Sequence, residues 1–176
     1  MQAFFTDSIA YGFSHPLGGL DHLLAMFAVG LLSVQVGKWA WAYIPAIFVA
    51  FLVFGGILGL IGQPIPQFED GILISVIALG LIIAVQIRFI PVLAIVVTAL
   101  FGVIHGYPHG TEIPSVANAP EYVLGFALAS AMMHLIGVGI GTICDIFPNP
   151  RNVRAILGGA LVGAGLVLLV TIKGIY

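Results

Sequence analysis

Six apolar runs, at residues 16–36, 41–61, 71–87, 90–105, 122–143 and 153–172, fill most of this chain and carry almost no charge. Crossing the hydrocarbon of a bilayer as a helix takes about 20 such residues. A composition of 61% hydrophobic and 7% charged residues, with a mean hydropathy of +1.20, places the chain among integral membrane proteins. With 176 residues there is length for roughly six or seven spans and none left for a soluble domain. Residues 1–176 therefore read as a single transmembrane domain. The fold class is an all-α integral membrane protein, a bundle of about six transmembrane helices. A semi-apolar stretch at residues 3–13 precedes the first run and reads as a broken, re-entrant or interfacial N-terminal segment.

Proline and glycine punctuate the joins, at Gln63-Pro64-Ile65-Pro66, Pro91, Pro108, Pro114, Pro120 and Pro148-Asn149-Pro150. Only a few residues around Arg88 separate the third and fourth runs, which predicts a tight antiparallel pair. The charges alternate from join to join. Lys38, Arg88, Arg151 and Arg154 fall in the odd joins. Glu69, Asp70, Glu112 and Glu121 fall in the even ones, and Lys173 follows the last run. By the positive-inside rule the odd joins are cytoplasmic and both chain ends lie outside. Arg151 and Arg154 read as topology anchors. The net charge is −2 and no basic patch points to nucleic acid. A single Cys144 excludes an intrachain disulfide. No basic n-region precedes the first apolar stretch, since Asp7 is the only charge before residue 21, so no secretory signal of the usual form is expected.

Against this background two polar clusters stand out. The first is His15-Pro16-Leu17-Gly18-Gly19-Leu20-Asp21-His22, and the second His105-Gly106-Tyr107-Pro108-His109-Gly110-Thr111-Glu112. Ionisable groups inside a membrane are costly and by default mark a site. Imidazole with carboxylate is a ligand set for borderline divalent metals. His15-Pro16 reads as a helix start, with proline at the first helical position. From there Gly19, His22 and Met26 follow at helical spacing, so one face would carry two imidazoles and a thioether. Asp21 is either a direct ligand or the group that orients an imidazole through its ring N–H. The bland alternative is a helix entry with a histidine cap. In the second cluster His105, His109 and Glu112 are spaced i, i+4, i+7. Gly106, Pro108 and Gly110 there predict a broken helix end whose carbonyls turn toward a cavity; the bland alternative is a loop with incidental histidines. On the six-span count both clusters lie at the outer face.

His134, in the fifth run, is expected deeper in the membrane. It is either a further station on a path or a residue hydrogen-bonded to a neighbouring helix. Met26, Met132 and Met133 read as packing residues. Gly55-x-x-x-Gly59, Gly137-x-x-x-Gly141 and Gly159-x-x-x-Gly163 are helix-contact patterns, which also offer faces for a homo-oligomer. The phosphate-binding G-x-x-x-x-G-K-[ST] loop, H-E-x-x-H and G-x-S-x-G are all absent from the sequence.

At these residues the chain resembles the HupE/UreJ family of nickel and cobalt permeases. His15-Pro16…Gly19…Asp21-His22…Met26 matches the family's HPxxGxDHxxxM signature. His105-Gly106…His109-Gly110…Glu112 is similar to its HGxxHGxE segment, and the likeness extends over essentially the whole chain. Tyr107 and Pro108 depart from the family pattern, where many members carry a histidine and an alanine. The resemblance implies uptake of Ni²⁺ or Co²⁺ across a bacterial inner membrane for metalloenzyme assembly.

The leading expectation is thus a secondary transporter whose cargo is Ni²⁺ or Co²⁺, with Zn²⁺ also suited to the ligands. Its path would be lined by His15, Asp21, His22, His105, His109, Glu112 and His134. Two alternatives use the same residues. One is an intramembrane zinc-dependent hydrolase with Asp21 or Glu112 as base. The other is a bis-histidine haem protein held by His22 and His134.

Overall fold

The computed structural model describes the backbone of residues 2–86 and 91–174, and the side chains of 7–86 and 91–174. Among the described residues seven α-helices follow one another: α1 Gln2–Leu17, α2 Leu20–Val36, α3 Ala40–Leu60, α4 Phe68–Ala84, α5 Pro91–Thr111, α6 Ala119–Ile143 and α7 Pro150–Lys173. A single 3₁₀ turn, Cys144–Ile146, continues α6. Each of the six apolar runs has its main part in one helix, α2 to α7, while residues 16–19 at the start of the first run belong to the end of α1 and the corner that follows it. The expected turn around Arg88 lies outside the described residues.

Four helices among the described residues are long and apolar enough to cross a membrane: α3, α5, α6 with its 3₁₀ turn, and α7. The pair α1–α2, bent by 81° between Leu17 and Leu20, counts as a fifth span if taken together. Helix α4 has 17 residues, about 26 Å at the usual rise, just short of a hydrocarbon core of about 30 Å.

The helix ends follow local chemistry. Asn118 caps α6 by accepting from the Glu121 backbone N–H at 3.3 Å, with Pro120 in the first turn. Pro150 opens α7, and Gly174, at φ 61°, closes it. The bend between α1 and α2 corrects the expectation that Pro16 starts a helix. Pro16 sits in the last turn of α1, and the break falls after it, at Gly18 and Gly19. Gly18 N–H donates back to the carbonyls of Ser14 and His15, and Gly19 is extended (φ −103°, ψ 112°). His15 and His22 therefore stand on two helices either side of a corner, and the expected single face carrying both does not form.

Helix α3 packs along α5, α4 along α7, and α1 and α2 along α6. The α3–α5 contact is backbone to backbone. A Cβ on Gly55 or Gly59 would strike the carbonyls of Val103 or Tyr107. One on Gly106 or Gly110 would strike those of Leu52 or Gly56. Gly137 meets Phe27 and Gly30 of α2 in the same way. Gly159 and Gly163, by contrast, have no heavy atom near the place a Cβ would occupy.

This seam corrects a second expectation. Helix α5 is not broken at Pro108 but runs unbroken to Thr111. Proline removes one hydrogen bond, and in membrane bundles packing against a neighbour tolerates that loss. Here Gly106 and Gly110 flank Pro108 and lock the helix against α3.

The charges sort to the two ends of the bundle. Asp70, at the start of α4, pairs with Lys173 at the end of α7, and His15 lies beside Glu112. Lys38 and Arg151 line one cleft at the opposite end. Arg154 does more than anchor topology: it is buried and ion-paired with Asp145. Met26 is fully buried in the apolar core, as expected for a packing residue, whereas Met132 is exposed.

The seam predicts a contrast between glycines of one helix type. Gly106→Ala forces a methyl into the Leu52 carbonyl and should destabilise by about 1–3 kcal/mol, the usual cost of overpacking. Gly159→Ala, facing open space, should be near neutral. Thermal unfolding of both variants in detergent measures the difference.

Candidate metal site

The corner between α1 and α2 faces the end of α5, and that juxtaposition builds the site. His15, in the last turn of α1, has its ring centre 4.9 Å from that of His109 on α5. Its Nε2 lies 3.3 Å from Oε2 of Glu112, just past the end of α5. His22, in the first turns of α2, has its ring 5.2 Å from His105 and 5.1 Å from His109. Two sequence-distant clusters thus meet at one end of the bundle. They border a cleft of about 270 Å³ lined by His15, Asp21, His22 and Glu112, together with Glu69 and Phe68 of α4.

Most of the imidazoles are held by one nitrogen. The Asp21 Oδ1 accepts from the His22 backbone N–H at 2.8 Å and lies 3.0 Å from His22 Nδ1. His105 Nδ1 donates to the Phe101 carbonyl at 2.9 Å, and His134 Nδ1 to the Ser130 carbonyl at 2.6 Å. Carbonyls and carboxylates only accept, so each Nδ1 must carry the proton and each Nε2 lone pair is left for something else. Among the described residues the Nε2 of His22 and of His134 is buried without a partner, and that of His105 has only the Ser75 hydroxyl at 3.5 Å. Both ring nitrogens of buried His109 lack a partner, and its ring stacks on Phe126 at 4.8 Å. Unpaired buried polar atoms are rare and call for an explanation.

The ring separations have a chemical meaning. Two imidazoles on one four-coordinate ion, each with a metal–nitrogen bond of about 2 Å, hold their ring centres about 5 Å apart. The pairs His15–His109, His22–His109 and His22–His105 all stand at that spacing. Yet among the described residues no three His, Cys, Asp or Glu side chains are arranged to hold an ion as they stand. The rings meet edge to face, so they would have to turn before their lone pairs converge.

His134 is set apart from the others. The ring of Phe48, from α3, lies against both it and His105, 4.9 Å from His134 and 5.5 Å from His105. Phe48, Phe126, Ser75 and Glu69 were not singled out in the sequence. Aromatic and hydroxyl residues in an apolar run carry no signal of their own there, and Glu69 registered only as a join charge.

The fold and the site together define a polytopic helical membrane protein with an imidazole–carboxylate cluster at one end of its bundle. The chain belongs to the HupE/UreJ family: residues 2–168 match the family described as HupE / UreJ protein. It is similar to Protein HupE of Rhizobium leguminosarum bv. viciae, with 37% identity over 164 residues, covering 93% of this chain and 85% of that protein. No solved structure matches.

The bond from Asp21 to His22 is testable as an orienting contact. Asp21→Asn keeps the shape and removes the charge. Loss of such a supporting carboxylate typically costs about 10–100-fold in metal affinity. Calorimetric titration of the purified variant with Ni²⁺ should show that loss with thermal stability retained.

Proposed function

We propose that this protein is a permease for uptake of a divalent transition metal, Ni²⁺ or Co²⁺, along a path lined by His15, Asp21, His22, His105, His109, Glu112 and His134. The observation that carries the reading is the meeting of four imidazoles from α1, α2 and α5 at ligand-like spacing, with buried nitrogens that nothing among the described residues satisfies. Such atoms suit a guest that supplies the missing partner. The outermost contact, His15 with Glu112, borders the open cleft and offers a first landing place for a cation. His22, with Asp21 behind it, and His105 and His109 form the next layer.

Orientation follows from charge. With Lys38 and Arg151 on the cytoplasmic side, the cluster opens to the periplasm and the gradient of potential drives a cation inward. Moving one charge through 100 mV is worth about 2.3 kcal/mol, so a divalent ion gains about 4.6 kcal/mol. Imidazole and carboxylate also accept Zn²⁺, so affinity order alone does not make Ni²⁺ the cargo. Discrimination rests on how many ligands the turned rings supply and in what geometry.

Proteoliposomes with an imposed inside-negative potential test the reading. Wild-type protein should accumulate Ni²⁺ or Co²⁺, and His22→Ala should abolish uptake while folding is retained; undiminished uptake by His22→Ala removes the first cluster from the path. Imidazole binds metal only when unprotonated, so at clamped potential uptake should fall as the outer medium is acidified through the histidine range. Proton-coupled symport would give the opposite slope.

A further inference from the structure

Four of the chain's five basic residues, all but Arg88, lie among the described residues. Two of them have acid partners, Arg154 in Asp145 and Lys173 in Asp70. The other two, Lys38 and Arg151, have no carboxylate within ion-pair reach among the described residues, and both line one cleft. That cleft encloses about 510 Å³ at the end of the bundle opposite the imidazoles. Trp39, Tyr43 and Pro91 form much of its wall, and among the described residues no acidic side chain lines it.

The backbone adds to the positive field. Three helices begin at the cleft: α3 just after Trp39, α5 at Pro91, and α7 at Pro150, one residue before Arg151. Helix N-termini carry partial positive charge, and their free N–H groups favour an anion. None of the three has an acidic residue in its first turn, and neither Trp39 nor Asn149 caps its helix through a side-chain hydrogen bond. The C-terminal end of α2 suits the neighbouring Lys38, but Arg151 stands in the first turn of α7, where the dipole disfavours a cation. Lys38 also holds a left-handed backbone, φ 53°, that glycine adopts at less cost. Such a place repels a divalent metal and lacks negative charge.

The level of the cleft in the membrane names the anion. Trp39 and, two residues on, Trp41 are exposed, and tryptophan and tyrosine collect at the height of the lipid headgroups. Basic joins face the cytoplasmic leaflet, where anionic lipid gives a negative surface potential. We infer that this cleft binds the phosphate of an anionic phospholipid headgroup, held by the Lys38 ammonium and the Arg151 guanidinium. The planar guanidinium can take two phosphate oxygens at once, and the ammonium adds a point charge. One headgroup would thereby bridge the α2–α3 join to the start of α7. The site is separate from the imidazole cluster and does not depend on the permease reading.

Trp39 and Trp41 are the two tryptophans of the chain, so Trp41→Phe leaves a single reporter, in the wall of the cleft. That protein, in a neutral detergent, is titrated with short-chain phosphatidylglycerol, with short-chain phosphatidylcholine and with inorganic phosphate. Phosphatidylglycerol should change the Trp39 emission saturably, and the zwitterionic lipid should not. Lys38→Gln and Arg151→Gln, both at exposed positions, should each weaken binding about fivefold, and together about 25-fold. Lys173→Gln, which removes the same charge at the other end of the bundle, should leave the affinity unchanged. Equal responses to the two lipids overturn the site, as does undiminished phosphatidylglycerol affinity in the protein carrying both Lys38→Gln and Arg151→Gln. Tighter binding of inorganic phosphate than of phosphatidylglycerol overturns the lipid as its occupant.

Discussion

The close approach of α3 to α5 sets everything else in place. Helices in a bilayer gain little from burying apolar surface, because lipid is as apolar as leucine; they associate by packing, and small residues permit the tightest packing. Gly55 and Gly59 on one side and Gly102, Gly106 and Gly110 on the other bring two backbones together over several turns. The glycines of α5 alternate with its functional residues. Gly106 and Gly110 face α3, and His105 and His109, each one position earlier, are thereby turned toward α2 and α6. The seam fixes the azimuth of both imidazoles and the level of Phe48 in one stroke. It also keeps α5 helical through Pro108, where the local sequence favours a break.

The second constraint is the corner at Gly18 and Gly19. A straight helix through residues 15–22 would carry His15 and His22 past α5 on one line. Bending by 81° spreads them instead, so that His15 reaches His109 and Glu112 while His22 reaches both His105 and His109. The break thus gives the site a width that a single helical face lacks. It also leaves Asp21 in the first turn of α2, where a carboxylate is favoured by the helix dipole. That carboxylate stands next to the one imidazole that touches both histidines of α5.

Much of this was legible in the residues. Apolar runs fixed the helices because bilayer thickness sets their length, and the two His-rich motifs stood out because ionisable groups are scarce in such a chain. Charge alternation predicted that joins two and four meet the chain's end on one side, and the pairing of Asp70 with Lys173 agrees. What the motifs could not disclose was their local conformation. Pro16 reads as a helix start and Pro108 as a break, yet Pro16 sits inside a last turn and Pro108 inside a continuing helix, where packing against α3 outweighs one lost hydrogen bond. Phe48 was illegible for a different reason. Its ring touches His105 from α5 and His134 from α6, and no spacing within α3 encodes those contacts.

The way the imidazoles are held bears on what they can do. A ring anchored through Nδ1–H to a rigid carbonyl or carboxylate keeps its lone pair available without a search through tautomers. Anchors at Asp21, Phe101 and Ser130 set up three such lone pairs at successive levels, while His109, stacked on Phe126 and bound through neither nitrogen, keeps its ring adjustable. On the permease reading, three anchored rings and one unanchored one would let coordination form stepwise, with His109 turning to follow an ion arriving from His15 and to release it toward His105. Conduction requires binding strong enough to capture and shared enough among sites to let go. A chain of single, separately anchored imidazoles would meet that requirement better than one closed tetrahedral cage, because no step would have to break more than one metal–nitrogen bond before the next had formed.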